Sequence, residues 1–307
     1  MLSPLSSAHE RAFADLDERG YGVFHGVVTP PQADRTVDEI KGFLAAEYAI
    51  DFRDPTTWGS RGFHRPGFVE VYNRPTMWEN RQDPGLYAIF ARVLGTERLW
   101  VTLDRAGFKR PGKIYEGDLR PRLVDKPEWG KGLDVHTDVN PWHLPSERRV
   151  QGILALGDTT EDQGGFACVP GFHREIEAWA AAHPEWAAPP EKAFVRIRDQ
   201  AMIRERLTPI PMKKGDLLVF DSRLPHGSTR NETVRWRVCQ YITLVPAIPA
   251  NQSLQANALR GWATGERPTR YPGGSHTVDA GPERERCGTP PPLTPLGARL
   301  VGIEPWD

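Results

Sequence analysis

The sequence has few cysteines, and they lie far apart. Cys168, Cys239 and Cys287 are the only three in 307 residues, and no two have the Cys-x-x-Cys spacing. An odd, widely spaced set does not build a disulfide framework, and without the short spacing the usual structural zinc sites are excluded. We therefore expect reduced thiols and a cytoplasmic protein.

An excess of charge of one sign is also absent, as is any long apolar run. The chain carries 39 basic and 40 acidic side chains, which gives no electrostatic footprint for nucleic acid or an anionic membrane. The start of the chain soon turns polar, so we expect no signal peptide and no membrane span. A small molecule is the expected partner, and no pattern indicates the oligomeric state.

The first fifty residues have the pattern helix, strand, helix. Ser7 and Glu10 have the spacing of a capping box, and apolar residues follow at helical intervals. Residues 21–28 are rich in β-branched and aromatic side chains, which is typical of a strand. Thr29 and Pro30 then open a second helix.

Residues 50–85 are crowded with glycine, proline, arginine and aromatic side chains. A long loop in a compact domain is usually a lid, a binding loop or a packed Ω-loop. The sequence does not choose between these. His64, Arg65 and Tyr72 lie in this stretch and are candidate substrate-binding residues.

Short strands separated by Gly and Pro turns dominate from Leu99 onward. We therefore predict a mainly β protein with flanking helices, α+β in class, around a cupin-like jelly-roll, the double-stranded β-helix. The predicted strands are 99–103, 150–156, 165–169, 216–220 and 234–245, with a helix at 175–182. We expect one domain over 1–307, with a helix–strand–helix at 1–50, a candidate lid and helix at 51–95, the core at 96–246 and an extended tail at 247–307.

His136 and Asp138 are the first candidates for chemistry. In a strand, residues i and i+2 point to the same face, so the imidazole and the carboxylate would converge on one ion. His226, which follows one predicted strand and precedes another, is the natural third ligand. Two histidines and one carboxylate form the facial triad of iron(II) oxygenases, which leaves positions open for a 2-oxo acid and dioxygen.

The strand after His226 carries two arginines on one face, Arg235 and Arg237. Guanidinium binds a carboxylate through a planar two-point fork that lysine cannot reproduce. The distal carboxylate of 2-oxoglutarate is the expected guest. Alternation along the strand does not choose between the two arginines.

Three segments together resemble the phytanoyl-CoA dioxygenase family. Residues 135–142, VHTDVNPW, look like its metal-binding strand, and 150–173, which end in the turn PGFH, look like its central strands. Residues 215–228, from GDLL to HGS, look like its distal-histidine segment. The similarity covers about residues 99–246, and the N-terminal helix–strand–helix also fits.

This resemblance implies a double-stranded β-helix that binds iron(II) through His136, Asp138 and His226. It also implies 2-oxoglutarate and dioxygen as cosubstrates, with release of succinate and carbon dioxide. Related halogenases lack the carboxylate ligand because chloride takes its place, so the presence of Asp138 implies oxygenation.

The resemblance also implies a binding site for 2-oxoglutarate. Family spacing places the arginine eleven residues after the distal histidine, at Arg237, and a hydroxyl two residues after it, at Ser228. Lys109 corresponds to a polar group that an earlier strand commonly contributes.

Two other functions fit the same residues. A zinc hydrolase or isomerase on the same barrel would use the triad to polarise water or a carbonyl, but it gives Arg237 and Ser228 no role. A non-catalytic binding protein that keeps the fold is the third reading. The sequence favours hydroxylation of an unactivated C–H bond, while desaturation, epoxidation and cyclisation stay open and the substrate is not readable.

Overall fold

The computed structural model describes residues 7–59, 67–117, 120–268 and 289–306. The α-helices in these residues are α1 (Ser7–Arg19), α2 (Pro30–Tyr48), α3 (Pro75–Arg81), α4 (Pro84–Leu94), α5 (Ile176–Ala182), α6 (Gln200–Arg206), α7 (Gln252–Thr264) and α8 (Pro295–Val301). The strands are β1 (Tyr21–Phe24), β2 (Phe68–Val69), β3 (Leu99–Val101), β4 (Ala106–Lys109), β5 (Lys113–Glu116), β6 (Arg122–Asp125), β7 (Leu133–Thr137), β8 (Val150–Ala155), β9 (Phe166–Cys168), β10 (Val195–Arg196), β11 (Thr208–Pro209), β12 (Leu217–Asp221), β13 (His226–Ser228), β14 (Arg237–Tyr241) and β15 (Leu244–Pro246).

Two antiparallel sheets form the centre of the molecule. The larger has six strands in the order β1-β12-β8-β14-β4-β2, and the smaller has five in the order β10-β7-β13-β9-β11. One apolar cluster combines Ile153 and Leu218 of the larger sheet with Val135 and Phe166 of the smaller. The two sheets therefore pack face to face, with this cluster between them.

The other face of the larger sheet is covered by helices. A second apolar cluster joins Phe108 and Leu154 of that sheet to Ile40 of α2, Leu86 of α4 and Leu300 of α8. Side chains that alternate along a strand point to opposite faces, so β1, β12, β8 and β14 each supply both clusters. The fold is a mixed α/β arrangement of helices, larger sheet and smaller sheet.

The helix ends follow from local sequence. Thr29 caps α2 by accepting a hydrogen bond from the Gln32 backbone, and Asp83 caps α4 by accepting from Gly85 and Leu86. Each cap is followed by proline, whose missing N–H would be unpaired at that position in any helix. Gly95 ends α4 with φ of 65°, in the left-handed region that glycine adopts without strain.

The predicted extended tail after residue 247 is wrong for the described residues, because α7 and α8 lie there. The buried face of α7 consists of Asn257, Ala258 and Gly261. A Cβ at Gly261 would lie 2.2 Å from Leu103 Cδ2, so the helix packs closely enough to require glycine. Small and polar contact residues give no apolar stripe, so the sequence shows no helical periodicity in this segment.

Two further predictions need correction. Residues 50–85 are not one long loop, because β2, α3 and a 3-10 helix at Pro55–Gly59 interrupt them. The strand predicted at 234–245 begins only at Arg237 and divides into β14 and β15. Several strands of two to five residues, among them β4, β7 and β10, were too short to show a pattern.

None of the described helices is long and apolar enough to cross a membrane.

Asn80 joins three elements through a buried hydrogen-bond network. Its amide donates to Thr36 Oγ1 at 3.0 Å and to Gln240 Oε1 at 2.9 Å, and its carbonyl accepts from Gln32 Nε2 at 2.9 Å. We expect Asn80→Ala to lower the free energy of unfolding by about 2–3 kcal/mol, because buried partners lose their hydrogen bonds. Urea denaturation measures this. Glu47→Ala, on the exposed side of α2, is the control and should change stability by less than about 0.5 kcal/mol.

Candidate active site

Two side chains that are close in sequence, His136 and Asp138, converge between the two sheets with a third that is remote, His226. His136 on β7 and His226 on β13 are direct partners in the antiparallel ladder, with ring centroids 4.4 Å apart. Asp138 follows the end of β7, with its carboxylate oxygens 3.7 Å from His136 Nε2 and 3.3 Å from His226 Nε2. One ligand atom from each residue lies within 4.8 Å of the other two, and no second such cluster of three occurs in the described part of the chain.

Both imidazoles are held in the same orientation by their own backbone. His136 Nδ1 lies 2.7 Å from the Asp134 carbonyl oxygen, and His226 Nδ1 lies 2.9 Å from that of Leu224. A carbonyl oxygen only accepts, so each Nδ1 carries the proton and donates it. In the neutral form of each ring the lone pair is then on Nε2, and both Nε2 atoms face Asp138. This is the arrangement by which proteins orient histidines toward a metal.

The protonation states suit a cation at this point. Burial, reinforced by the nearby His226, lowers the pKa of His136 to about 4. Burial alone would raise the pKa of Asp138, but the attraction of both histidines and the hydrogen bonds from His226 and Gln151 together outweigh it, and the pKa is lowered to about 2. At neutral pH the site therefore offers a neutral imidazole beside a carboxylate, and metal ligands must be deprotonated to bind.

Aromatic rings pack on the two histidines. Phe194, next to β10, stacks on His136 with ring centroids 4.2 Å apart. Phe220 and Phe166 lie against His226 at 4.5 Å and 5.5 Å. These rings limit water around the imidazoles and fix their planes, as a rigid site requires.

Gln151 on β8 holds the carboxylate from the larger sheet. Its Nε2 donates a short hydrogen bond to Asp138 Oδ2. The sequence showed only that Gln151 lies on a core strand, because a contact between strands of different sheets has no sequence signature. The carboxylate is thus oriented by a partner outside its own strand.

A second polar cluster lies further along the interior. Arg237 on β14 and Lys109 on β4 are ladder partners, with relative exposures of 5% and 1%. Lys109 Nζ donates to Ser228 Oγ at 2.8 Å and to the Thr229 carbonyl at 2.7 Å. Arg237 lies 3.3 Å from the Tyr241 hydroxyl. Ser228 on β13 of the smaller sheet therefore lies close to Lys109 and Arg237, on β4 and β14 of the larger sheet. These are the three residues that were predicted to bind 2-oxoglutarate.

This cluster has two buried cations and no carboxylate. Among the described residues no acidic side chain forms an ion pair with Lys109 or Arg237. Burial, and then repulsion by Arg237, lower the pKa of Lys109 well below its ordinary value. A buried charge is costly unless paired, so the chemistry of the cluster fits an anionic guest. Burial also raises the pKa of the neighbouring Cys239 thiol, which stays protonated and fills space.

Alternation along the strand did not choose between Arg235 and Arg237, but the two side chains differ in position. Arg235 precedes β14 and is exposed, with a hydrogen bond of 3.1 Å to the Thr160 hydroxyl. Arg237 points between the sheets with Cys239 and Tyr241. Only Arg237 shares the interior with the histidines.

Of the three candidate substrate residues, one lies in the described part of the chain. His64 and Arg65 lie outside the described residues. Tyr72 is fully buried, and its hydroxyl donates a short hydrogen bond to Glu70. His173, at the end of the turn PGFH, has a structural role. Its Nε2 lies 3.2 Å from the Asp17 carbonyl oxygen.

Comparison with known proteins gives one consistent result. The profile of the family described as phytanoyl-CoA dioxygenase (PhyH) matches residues 16–239. A Dictyostelium discoideum protein assigned to the phytanoyl-CoA dioxygenases is 25% identical, over 77% of this chain and 75% of that protein. An ectoine dioxygenase of Sphingopyxis alaskensis is 24% identical, over 75% of this chain and 72% of that protein.

Solved structures show a shared fold. A Candida albicans protein, GIG2, has a TM-score of 0.72 at 14% identity, covering 99% of this chain and 78% of that one. EctD of S. alaskensis, solved with 2-oxoglutarate and 5-hydroxyectoine, has a TM-score of 0.51 at 17% identity, covering 80% and 77%.

Proposed function

Because the chain belongs to the phytanoyl-CoA dioxygenase family, we propose that it hydroxylates an unactivated C–H bond of a small molecule. It is a 2-oxoglutarate-dependent dioxygenase, with iron(II), 2-oxoglutarate and dioxygen as cofactors. The observation that supports our site assignment is the convergence of two backbone-oriented Nε2 atoms on one buried carboxylate. We also propose that the two sheets form a double-stranded β-helix and that the chain is a single domain. The cytoplasmic location stays a prediction.

We assign His136, Asp138 and His226 as the iron ligands. When bound, iron(II) with 2-oxoglutarate would activate dioxygen, which is the oxidant for C–H hydroxylation. The protein holds the ligands: the Asp134 and Leu224 carbonyls orient the imidazoles, and the aromatic rings exclude water around them.

We assign Arg237, Ser228 and Lys109 to the distal carboxylate of 2-oxoglutarate. Arg237 offers a planar fork, Ser228 a hydroxyl and Lys109 an ammonium already aimed at that hydroxyl. A bound carboxylate would place one negative charge between the two buried basic side chains and raise the pKa of Lys109 from its lowered value. A zinc hydrolase would leave these two cations unpaired, and it is not favoured.

Three measurements test the proposal. The purified chain should bind one iron per chain, form the visible absorption band of an iron(II)–2-oxoglutarate complex without oxygen, and release succinate when oxygen is admitted. A metabolite panel then identifies the substrate by increased succinate release and by product mass. A chain that binds iron at one per chain but neither binds 2-oxoglutarate nor consumes oxygen would contradict the assignment.

Gln151 gives a graded prediction. We expect Gln151→Ala to lower iron affinity or turnover about 10–100-fold, because outer partners of metal ligands contribute on this scale. Iron affinity is measured by competition with a chelator of known affinity. Gln200→Ala, an exposed glutamine of α6, should leave both unchanged. Equal affinities for the two variants would show that Gln151 does not position Asp138.

A further inference from the structure

A cleft of about 230 Å³ leads from the surface to Asp138, one of the proposed iron ligands. Asp138 and Gln151 lie at its inner end, together with Ser222 and Thr243. One wall is the segment 243–254, which lies beyond the end of the family match at residue 239. The cleft is therefore built in part by a segment of this chain that the family pattern does not describe.

The C-terminal wall of the cleft is largely apolar. Leu94 at the end of α4 and Val245, Pro246, Ile248 and Leu254 line it. Ile248 has a relative exposure of 37%, which makes it one of the few large apolar side chains left open to water. An exposed apolar side chain at the rim of a cleft that reaches catalytic residues fits an apolar part of a ligand.

The opposite wall carries a cation. Ser222 N donates to the Arg149 carbonyl at 2.9 Å, so the β8–β12 pairing continues one residue before Val150. Arg149 and Gln151 are then two strand positions apart and share a face, about 7 Å apart. Gln151 reaches Asp138, so Arg149 is directed to the same side, further out.

The charges around Arg149 leave it available. No acidic side chain of the described residues forms an ion pair with it. Its neighbour Arg148 also lines the cleft but is engaged by Asp17 at 3.1 Å. Glu147 lines the cleft as well.

We infer that this cleft binds the substrate, and that the substrate is a small apolar molecule carrying a carboxylate. Arg149 binds the carboxylate through its planar fork, and Ile248 and Leu254 contact the apolar part. This inference rests on the proposed function, because it gives the substrate class of the same site. It makes the segment 243–254 the determinant of specificity.

Three eight-carbon probes of different charge test the inference. Octanoate, octanamide and octylammonium are titrated by calorimetry into the full chain, loaded with iron(II) and 2-oxoglutarate without oxygen. We expect octanoate to bind most tightly, by about fivefold over octanamide. No detectable binding of octanoate, or tighter binding of octylammonium, would overturn the inference.

Two variants with matched controls locate the binding. Arg149→Gln should weaken octanoate about fivefold and leave octanamide unchanged, whereas Ile248→Ser should weaken both about threefold. The controls Arg204→Gln and Ile303→Ser remove an exposed arginine and an exposed isoleucine elsewhere, and should weaken neither probe. Affinities in the cleft variants equal to those in their controls would place the probe outside the cleft.

The failure of the proposed function is seen separately. The iron(II)–2-oxoglutarate absorption band is recorded before any probe is added, and its absence in the wild-type chain counts against the oxygenase assignment. The titrations are then repeated on the metal-free chain, where the ratio between octanoate and octanamide and the effects of the variants still report on the cleft.

Discussion

Replacing Asp138 by alanine is expected to abolish turnover and to weaken iron binding by more than about 100-fold. Loss of an outer partner of a metal ligand already costs up to about 100-fold, and Asp138 is proposed as a ligand itself. Its carboxylate also supplies the only negative charge of the proposed ligand set. Succinate release and chelator competition measure the two effects.

Asp134 provides the matched control on the same strand. Its side chain is 67% exposed and pairs with Arg196 on the surface, while only its backbone carbonyl touches His136. Asp134→Ala should therefore keep iron affinity and turnover close to those of the wild type. Full activity in Asp138→Ala would remove Asp138 from the ligand set. A loss in both variants of the same size would indicate a disturbed β7 instead of a missing ligand.

Part of the triad could be predicted because it is local. His136 and Asp138 are two residues apart, and the short spacing brings their side chains to one side even though β7 ends at Thr137. For His226 the sequence indicates only a position between two predicted strands, because β13, which pairs it with His136, is too short to show a pattern. The sequence could not give the orientation of the rings, which depends on backbone carbonyls two residues before each histidine.

The elements that were missed depend on contacts between distant parts of the chain. Asn257, Ala258 and Gly261 form the buried face of α7, and small or polar residues become a contact face only where a neighbour comes close. Gln151 meets Asp138 across the two sheets, and no spacing announces such a contact. Composition and periodicity report which residues share a face, but they do not report which faces meet.

The choice between Arg235 and Arg237 shows the same limit. Both lie on one face if the strand is continuous from residue 234, as the sequence suggested. The strand in fact begins at Arg237, so Arg235 lies outside it. The alternation that would place both arginines on one face therefore does not apply to Arg235. Register, which is set by pairing with Lys109 on β4, decides which guanidinium enters the interior.

Replacing Arg237 by alanine should raise the apparent KM for 2-oxoglutarate about 30-fold or more, because removing one partner of a buried charge pair costs roughly 2–5 kcal/mol. Arg235→Ala is the matched control, and the loss of an exposed arginine should change KM by less than about twofold. Arg237→Lys keeps the charge without the two-point fork, so it should restore only part of the affinity. These values come from succinate release at varied 2-oxoglutarate, with iron affinity measured alongside to show that the metal site is intact. Equal effects of the two alanine variants would mean that the interior guanidinium does not bind the distal carboxylate, even if the triad binds iron.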